Sequence, residues 1–407
     1  MSRPTQNETK AAVAEGLAPH GGIQQLSAAA ARDRLVVVGA GAVGAAVAWA
    51  AAREKVAGEV VLVDPDPGSG ASRVAGGMLG PVTEAWAGEP EILDLGSASV
   101  ARWPAFAEAV AADAGRPVGL RTEGMLQVAL DSADVASLER MAKHFQDRGH
   151  HGIELLTGAE ARRREPALGP SVRAGLSVPG DLAVDPRTLL VALAAAGAAR
   201  GVVTCRARVT RVVDDGERVT GVEVEGGQLA ADRVVVAAGA WSSALHPVLA
   251  DRVRPVKGEI IRIRARRSSP PPPVHTLRTA VEGRPVYVIP RTGGRLAVGA
   301  TQYEAGFDPD VLVGGVRNLL ADVEKALPGI GDYALEETAA SFRPCTEDNT
   351  PLLGPVGPEG LFASTGHGRN GILLTPLTAE ALTAVLRGEG LPGVAEPAAA
   401  ARATACV

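Results

Sequence analysis

Three glycines and one acid, held at fixed spacing near the start of the chain, form its most informative chemical pattern. Gly39, Gly41 and Gly44 follow the apolar run 36–38, and Asp64 ends a second apolar run 20 residues after Gly44. In such a strand–turn–helix–strand unit the first glycine permits a tight turn, the second admits a pyrophosphate, and the third lets the helix pack on the sheet. An acid in the position of Asp64 accepts hydrogen bonds from a ribose diol. The pattern therefore predicts a bound dinucleotide without a 2′-phosphate, and it leaves FAD and NAD open.

The bulk composition favours a two-domain globular protein. The chain has 407 residues and a net charge of −5, which argues against a nucleic-acid partner because such partners select a basic surface. Its three cysteines are too few and too scattered for a disulfide framework or a zinc site, so we expect no metal and a reducing, cytoplasmic setting. No uninterrupted apolar run reaches about 18 residues, so no membrane span is expected.

The periodicity of apolar residues predicts the elements that must position these groups. Helices are predicted at 89–114, 135–148, 158–165, 189–200, 311–327 and 378–387, with Thr157 as the N-cap of the third. Strands are predicted at 125–130, 209–213, 219–224, 233–238 and 361–364. The segment 253–298 alternates with period two, which is typical of antiparallel strands, and Pro270 to Pro273 are predicted to form an exposed loop within it.

These elements predict an α/β fold in which a Rossmann-like dinucleotide domain is interleaved with an antiparallel-sheet α+β substrate domain. The strongly β-branched strands after residue 200 indicate that the chain returns to the first domain. The predicted division is a disordered leader at 1–33, a dinucleotide domain at 34–85, 170–250 and 337–390, a substrate domain at 86–169 and 251–336, and a flexible tail at 391–407.

Five further motifs follow the glycine fingerprint in an order that resembles a known family. They are Ala75-Gly-Gly-Met-Leu-Gly-Pro81, Val286-Tyr-Val-Ile-Pro-Arg291, Gly299-Ala-Thr301, Phe342-Arg-Pro344 with Asp348, and Gly366-His-Gly-Arg-Asn-Gly-Ile-Leu-Leu374. Together they resemble the D-amino-acid oxidase superfamily of flavoenzymes, and within it the glycine oxidase (ThiO) family, over residues 35–387. The resemblance implies non-covalent FAD, a small amino-acid substrate, molecular oxygen as electron acceptor and assembly into homo-oligomers.

The resemblance also implies roles for single residues. Arg343 and Arg369 match two arginines linked to the amino-acid substrate, and Tyr287 matches a tyrosine on the substrate side. The positions that match FAD-contacting residues are Gly39, Gly41, Ala42, Val43, Gly44, Asp64, Ala71, Ser72, Gly76, Gly77, Met78, Val209, His367, Gly368, Arg369, Asn370, Gly371, Ile372 and Leu373.

A guanidinium suits an amino-acid substrate because it pairs with a planar carboxylate through two parallel hydrogen bonds. We expect Asp348 to orient Arg343. Each role has a structural alternative: a loop salt bridge for Arg343, a solvent- or flavin-facing position for Arg369, and a core position with a satisfied hydroxyl for Tyr287. His367 is not expected to act as a base, and Cys345 is expected to be an ordinary thiol without a flavin attached.

Three positions depart from the family pattern. Gly368 replaces an aromatic residue between the histidine and arginine of the last motif, which enlarges the pocket or leaves Arg369 less fixed. Arg73 stands in a flavin loop where a small or neutral residue is usual, and no second tyrosine precedes Tyr287. The predicted activity is oxidation of glycine, with a role in thiazole synthesis for thiamine. The alternatives are a sarcosine, D-amino-acid or D-proline-like substrate, a dehydrogenase with another acceptor, and a flavin-binding scaffold without turnover.

Overall fold

The computed structural model describes residues 33–86, 88–149 and 152–402, so the predicted leader, apart from Asp33, and residues 403–407 lie outside it. The helices of this part of the chain are α1 (Ala42–Arg53), α2 (Ala71–Val74), α3 (Pro90–Ala114), α4 (Ser132–Asp147), α5 (Gly158–Arg164), α6 (Pro186–Ala199), α7 (Val313–Ala326) and α8 (Thr375–Leu386). None of these helices combines the length and the apolar character needed to cross a bilayer.

The strands form four sheets. They are β1 (Arg34–Val38), β2 (Glu59–Val63), β3 (Met78–Leu79), β4 (Leu120–Arg121), β5 (Met125–Ala129), β6 (Glu154–Thr157), β7 (Ala174–Val178), β8 (Leu182–Val184), β9 (Val203–Cys205), β10 (Val209–Asp214), β11 (Val219–Val224), β12 (Gly227–Ala230), β13 (Arg233–Val236), β14 (Arg254–Arg264), β15 (Thr276–Val281), β16 (Arg284–Pro290), β17 (Arg295–Gly299), β18 (Ala334–Cys345), β19 (Leu352–Pro355) and β20 (Leu361–Thr365).

A six-stranded sheet carries the glycine fingerprint, and we call it the nucleotide sheet. Its strand order is β19-β20-β13-β1-β2-β9, and the central strand β1 pairs in parallel with β13 and β2. Alternate residues of β1 enter two apolar clusters, Leu35 and Val37 in one and Val36 and Val38 in the other, because both faces of the sheet are covered. The predicted α/β, Rossmann-like fold class is thereby confirmed.

An eight-stranded sheet forms the second half of the molecule, and we call it the large sheet. Its order is β18-β14-β17-β16-β15-β5-β7-β6, and its strand pairs are antiparallel except for β15 with β5. Leu319 and Val323 of α7 pack in one apolar cluster with Leu277 and Val288. Since side chains alternate along a strand, the neighbours of Leu277 and Val288 point to the opposite face, where the site lies.

Local signals predicted several element boundaries correctly. Thr157 is the N-cap of α5, where its hydroxyl accepts a hydrogen bond from the Glu160 N–H and the Glu160 carboxylate returns the bond in a capping box. The four prolines lie in the connection between β14 and β15, as expected. Both features depend on residues that are close in sequence, so they need no tertiary information.

The structure departs from the predicted division at three places, two in strand pairing and one in helix packing. Strand β18, assigned to the dinucleotide domain, pairs with β14 along its length, and β7 pairs with β5 and β6 in the large sheet. Helix α3, assigned to the substrate domain, packs instead in the apolar cluster that covers the nucleotide sheet. Strand β18 is rich in small and charged residues without a period of two, so tertiary context and not local propensity makes it a strand.

The prediction of a flexible tail is wrong for residues 391–402. A short 3₁₀ helix at Gly393–Ala398 buries Ala395 and Ala398, and the Ala400 N–H donates to the Leu353 carbonyl at 2.7 Å. The alanines that made this segment look featureless are small enough to pack closely against β19.

Candidate active site

A cavity of about 470 Å³ is lined by residues of both the nucleotide sheet and the large sheet. It brings together most of the residues predicted for the site. Those that line it are Gly39, Gly41, Val43, Gly44, Asp64, Ala71, Ser72, Gly76, Gly77, Met78, Val209, Tyr287, Arg343, His367, Gly368, Arg369, Gly371 and Ile372. Ala42, Asn370 and Leu373 do not line it and are buried in the surrounding protein.

A side chain at Gly39 or at Gly44 would clash with the backbone around the turn. Gly39 has a φ of +105°, and a Cβ added to it would lie 2.4 Å from the carbonyl oxygen of Ala237. A Cβ on Gly44 would lie 2.0 Å from the Gly39 carbonyl oxygen, so α1 presses directly on the turn. The backbone around Gly41 therefore reaches the cavity wall bare of side chains, as an approaching pyrophosphate requires.

Asp64 and Ser72 complete the same end of the cavity. An Asp64 carboxylate oxygen accepts a hydrogen bond from the Ala40 N–H at 2.8 Å, and the Ser72 hydroxyl accepts one from the Ala42 N–H at 2.9 Å. Burial raises the pKa of Asp64, and the Ala40 N–H acts in the opposite direction. Gly41, the N-cap residue of α1, has no side chain to act as a cap, so Ser72 takes the Ala42 N–H, and the positive end of the helix faces the cavity. These groups fit the phosphates and ribose of FAD.

Three arginines donate hydrogen bonds to backbone carbonyls of the segment 73–76. Arg262 donates to the carbonyl of Arg73 at 2.9 Å, Arg187 donates to the same oxygen at 3.3 Å, and Arg291 donates to the carbonyl of Gly76. Burial lowers the pKa of Arg262 and of Arg291 to about 10, so both remain charged at neutral pH. We call Arg187, Arg262 and Arg291 the arginine clamp, because they fasten a predicted flavin segment to the rest of the protein.

The Tyr287 hydroxyl faces the cavity through space left by two glycines. A Cβ on Gly76 would lie 2.6 Å from this oxygen, and one on Gly299 would lie 2.4 Å from it. Among the described residues, none forms a hydrogen bond with the hydroxyl, which is unlike a tyrosine satisfied in a core. Burial raises the pKa of Tyr287, so the phenol stays protonated and available as a donor.

Arg343 extends into the cavity without a counter-ion in the described part of the chain. One of its terminal nitrogens donates to the Thr301 carbonyl at 3.1 Å. The expected orientation by Asp348 is wrong, because the packed C-terminal segment brings Arg402 to that carboxylate at 3.1 Å. A partly buried guanidinium that binds only carbonyl oxygens suits a carboxylate ligand.

Arg369, in contrast, already has a protein partner for its charge. It forms an ion pair with Glu89 at 2.8 Å, and its guanidinium lies 4.0 Å from the centre of the Trp86 ring. The expectation that Gly368 leaves Arg369 less fixed is therefore wrong, because an aromatic ring from a distant segment takes the place of the missing one. The Nε atom of Arg369 stays buried without a hydrogen-bond partner among the described residues.

His367 and Cys345 are both poor candidates for acid–base or covalent chemistry. Burial lowers the pKa of His367 to about 4, so its imidazole is neutral at pH 7, and Nε2 lies 3.1 Å from the Thr378 hydroxyl. Burial raises the pKa of Cys345, so its thiol is protonated.

Sequence reasoning missed three residues at or beside the cavity: Glu84, Trp86 and Trp241. Glu84 and Trp241 line it, and Trp241 stacks on Phe307 with 5.3 Å between ring centres. Glu84 and Trp86 follow closely on the Ala75 to Pro81 motif, and this proximity was the sequence signal for both.

A family model described as FAD dependent oxidoreductase (DAO) matches residues 34–385. The chain belongs to this family. The DAO chain is 37% identical over 357 residues to glycine oxidase of Geobacillus kaustophilus (strain HTA426), covering 85% of this chain and 91% of the relative. It is 32% identical to the bifunctional protein ThiO/ThiG of Synechocystis sp. (strain ATCC 27184 / PCC 6803 / Kazusa), covering 85% of this chain and 50% of the relative. The crystal structure of glycine oxidase from Geobacillus kaustophilus matches with a TM-score of 0.84 at 32% identity, covering 91% of this chain and 100% of that one.

Membership of the DAO family confirms the predicted family, fold class and enzyme class. The protein is an FAD-dependent oxidoreductase, so the NAD alternative is wrong. The roles of single residues remain predictions.

Proposed function

We propose that the protein oxidises glycine, or another small primary or secondary amino acid, to its imine. Hydrolysis of the glycine imine gives glyoxylate and ammonia, and oxygen is reduced to hydrogen peroxide. The observation that carries the proposal is the guanidinium of Arg343, which has no counter-ion in the described part of the chain and lies in the same cavity as Tyr287 and the glycine fingerprint.

The residues around the glycine fingerprint would hold FAD without a covalent bond. Gly41, Asp64 and Ser72 would take the ADP half, and the segment around Gly76 with that around His367 would take the flavin half. When bound, the flavin supplies the acceptor for a hydride from the substrate Cα. The protonated, buried thiol of Cys345 supports non-covalent binding.

The chain's own contribution is to position the substrate. Arg343 keeps nitrogens free beyond its bond to Thr301 and pairs them with the substrate carboxylate. The Tyr287 hydroxyl donates a further hydrogen bond to the same carboxylate. Because His367 is neutral and already bonded, the amine binds as the free base and no side-chain base removes its proton. Trp241 and Phe342 restrict water at the cavity wall.

We extend the proposal to thiamine biosynthesis, where the imine would enter thiazole synthesis. A relative named ThiO/ThiG supports this role, since it joins a domain similar to this chain to a second protein. We also propose that the enzyme is cytoplasmic and that it forms homo-oligomers.

The test is anaerobic mixing of the FAD-loaded protein with glycine, sarcosine and D-alanine, followed by air and a peroxide assay. Loss of the visible flavin absorbance with glycine, and peroxide on reoxidation, is the expected result. Arg343→Ala should abolish bleaching at low glycine, whereas Arg267→Ala, at an exposed loop position, should not change it. A flavoprotein that none of these amines bleaches would overturn the proposal, and reduction without peroxide would replace the oxidase by a dehydrogenase.

A further inference from the structure

The guanidinium of Arg343 lies across strand β14 and is held on the far side of that strand. Arg343 belongs to β18, and an added Cβ on Gly258 of β14 would lie 2.3 Å from its Nη1 atom. This nitrogen donates to the Thr301 carbonyl at 3.1 Å and approaches the Lys257 carbonyl at 3.5 Å. Thr301 follows β17, which pairs with the other edge of β14. The position of Thr301 therefore decides where the guanidinium of Arg343 comes to rest.

Thr301 is fastened to Glu259 of β14 by three hydrogen bonds. The Thr301 N–H donates to the Glu259 carbonyl at 3.3 Å. The Thr301 hydroxyl accepts a hydrogen bond from the Glu259 N–H at 3.0 Å and donates one to the Glu259 carboxylate at 3.1 Å. A hydroxyl can serve as donor and acceptor at once, so this one joins Thr301 to both the backbone and the side chain of Glu259.

The Glu259 carboxylate lies on the face of the large sheet that is turned away from Arg343. Ile261, two residues further along β14, belongs to the apolar cluster under α7, and alternate side chains of a strand share a face. Glu259 is fully buried there, and its carboxylate accepts a hydrogen bond from the Leu312 N–H at 2.7 Å, just before α7 begins. An acid at a helix start is commonly structural, but this one also holds the residue that binds Arg343.

Lys257 balances the buried charge of Glu259. Its ammonium group is fully buried and lies 2.7 Å from the Asp308 carboxylate and 3.9 Å from that of Glu259. The hydrogen bond from Lys257 lowers the pKa of Asp308, so the ion pair persists at neutral pH. A buried carboxylate is costly unless it is paired and hydrogen-bonded, and Glu259 has both kinds of partner. These three residues secure segment 301–312 to the back of β14.

We propose that Glu259 is a positioning residue for the substrate carboxylate. Through the Thr301 hydroxyl it sets the carbonyl that holds the Arg343 guanidinium over Gly258. Glu259 acts from the opposite face of the sheet, and its side chain does not touch the substrate. This proposal rests on the proposed function, because it takes Arg343 as the group that binds the substrate carboxylate.

The test measures the binding of acetate, which has the carboxylate of glycine but no amine to oxidise. Its dissociation constant is read from the shift of the flavin spectrum of the FAD-loaded protein. Thr301→Val keeps the shape and the backbone carbonyl but removes the hydroxyl, and it should weaken acetate binding by about 10-fold. Thr301→Ser keeps the hydroxyl and should bind acetate as the unaltered protein does. The matched control is Thr220→Val, at an exposed strand threonine whose hydroxyl donates to the Val213 carbonyl.

A double-mutant cycle shows whether the effect passes through Arg343. In an Arg343→Ala background, Thr301→Val should weaken acetate binding no further. Glu259→Gln should weaken acetate binding in the same direction as Thr301→Val, with Glu223→Gln at an exposed ion pair as its control. If Glu259→Gln fails to fold, the two Thr301 variants decide the matter.

Acetate binding that is unchanged in Thr301→Val, or that falls equally in the Arg343→Ala background, would overturn the proposal. A role confined to holding α7 would lower the Tm of Thr301→Val and leave its acetate binding intact. Flavin reduction by glycine is scored separately. Bleaching by glycine with acetate binding that is independent of Thr301 refutes the positioning role alone. Acetate binding that depends on Arg343 and Thr301, without bleaching by any amine, supports the positioning role and refutes the oxidase.

Discussion

Replacing Gly258 by alanine should displace the Arg343 guanidinium without removing it. Gly258 lies in β14 and does not have a positive φ, so the strand accepts alanine. The new Cβ would lie 2.3 Å from Nη1, 2.5 Å from Cζ and 2.6 Å from Nη2 of Arg343, whereas ordinary contact begins at 3.4 Å. The guanidinium must therefore move by about 1 Å, and a displacement of that size can cost about 100-fold in rate. We expect kcat/KM for glycine to fall by that factor, about 2.7 kcal/mol.

The fold and the cofactor should be spared, because the clash is with the flexible end of a side chain. The assay is the rate of anaerobic flavin reduction over a glycine series, with the Kd for FAD and the Tm measured on the same samples. Arg343→Ala sets the scale of a complete loss, and Gly314→Ala, where an added Cβ meets no atom within 4 Å, is the matched control. Unchanged kinetics in Gly258→Ala with normal FAD binding would show that Arg343 does not position the substrate.

Three further perturbations test other parts of the site. Asp64→Asn should weaken FAD binding by about 10-fold or more through loss of a charged acceptor for ribose, measured by titrating apoprotein with FAD; an unchanged Kd contradicts the ribose role. A double-mutant cycle of Trp86→Leu with Arg369→Met should give a coupling of about 1 kcal/mol in urea unfolding, and zero coupling contradicts the stacking. Burial raises the pKa of Asp181 to about 7 from 3.8, so the folded state holds a proton that the unfolded state releases. The free energy of unfolding should therefore fall by about 4 kcal/mol as pH rises from about 4 through about 7, and Asp181→Asn should flatten that slope.

The parts of the fold that sequence predicted correctly depend on local rules. The turn at Gly39, the helix after it and the acid at Asp64 follow from sterics and periodicity within one short stretch. The capping box at Thr157 is set by residues three positions apart. Strand β18 and the packed segment 391–402 have no such local signal, because they are ordered by pairing with β14 and β19, which lie far away in the chain.

The same limit governs the site. Arg343 and Tyr287 could be found from motifs, and the structure places both at the cavity. The ionic partners could not be found from motifs. Asp348 binds Arg402 and Arg369 binds Glu89, and each pair joins segments that only the fold brings together.

The arginine clamp links the retention of FAD to the correct docking of the two halves of the molecule. The carbonyls that it grips belong to the chain just after the nucleotide-binding unit, whereas Arg262 comes from β14 and Arg291 follows β16 in the large sheet. The end of the cavity that we propose for the flavin thus lies between two halves of the molecule, and it is complete only when both halves have docked. On this placement we expect FAD retention to depend on the docking of the two halves, and a change that weakens their contact should be seen first as a loss of bound FAD and its yellow colour.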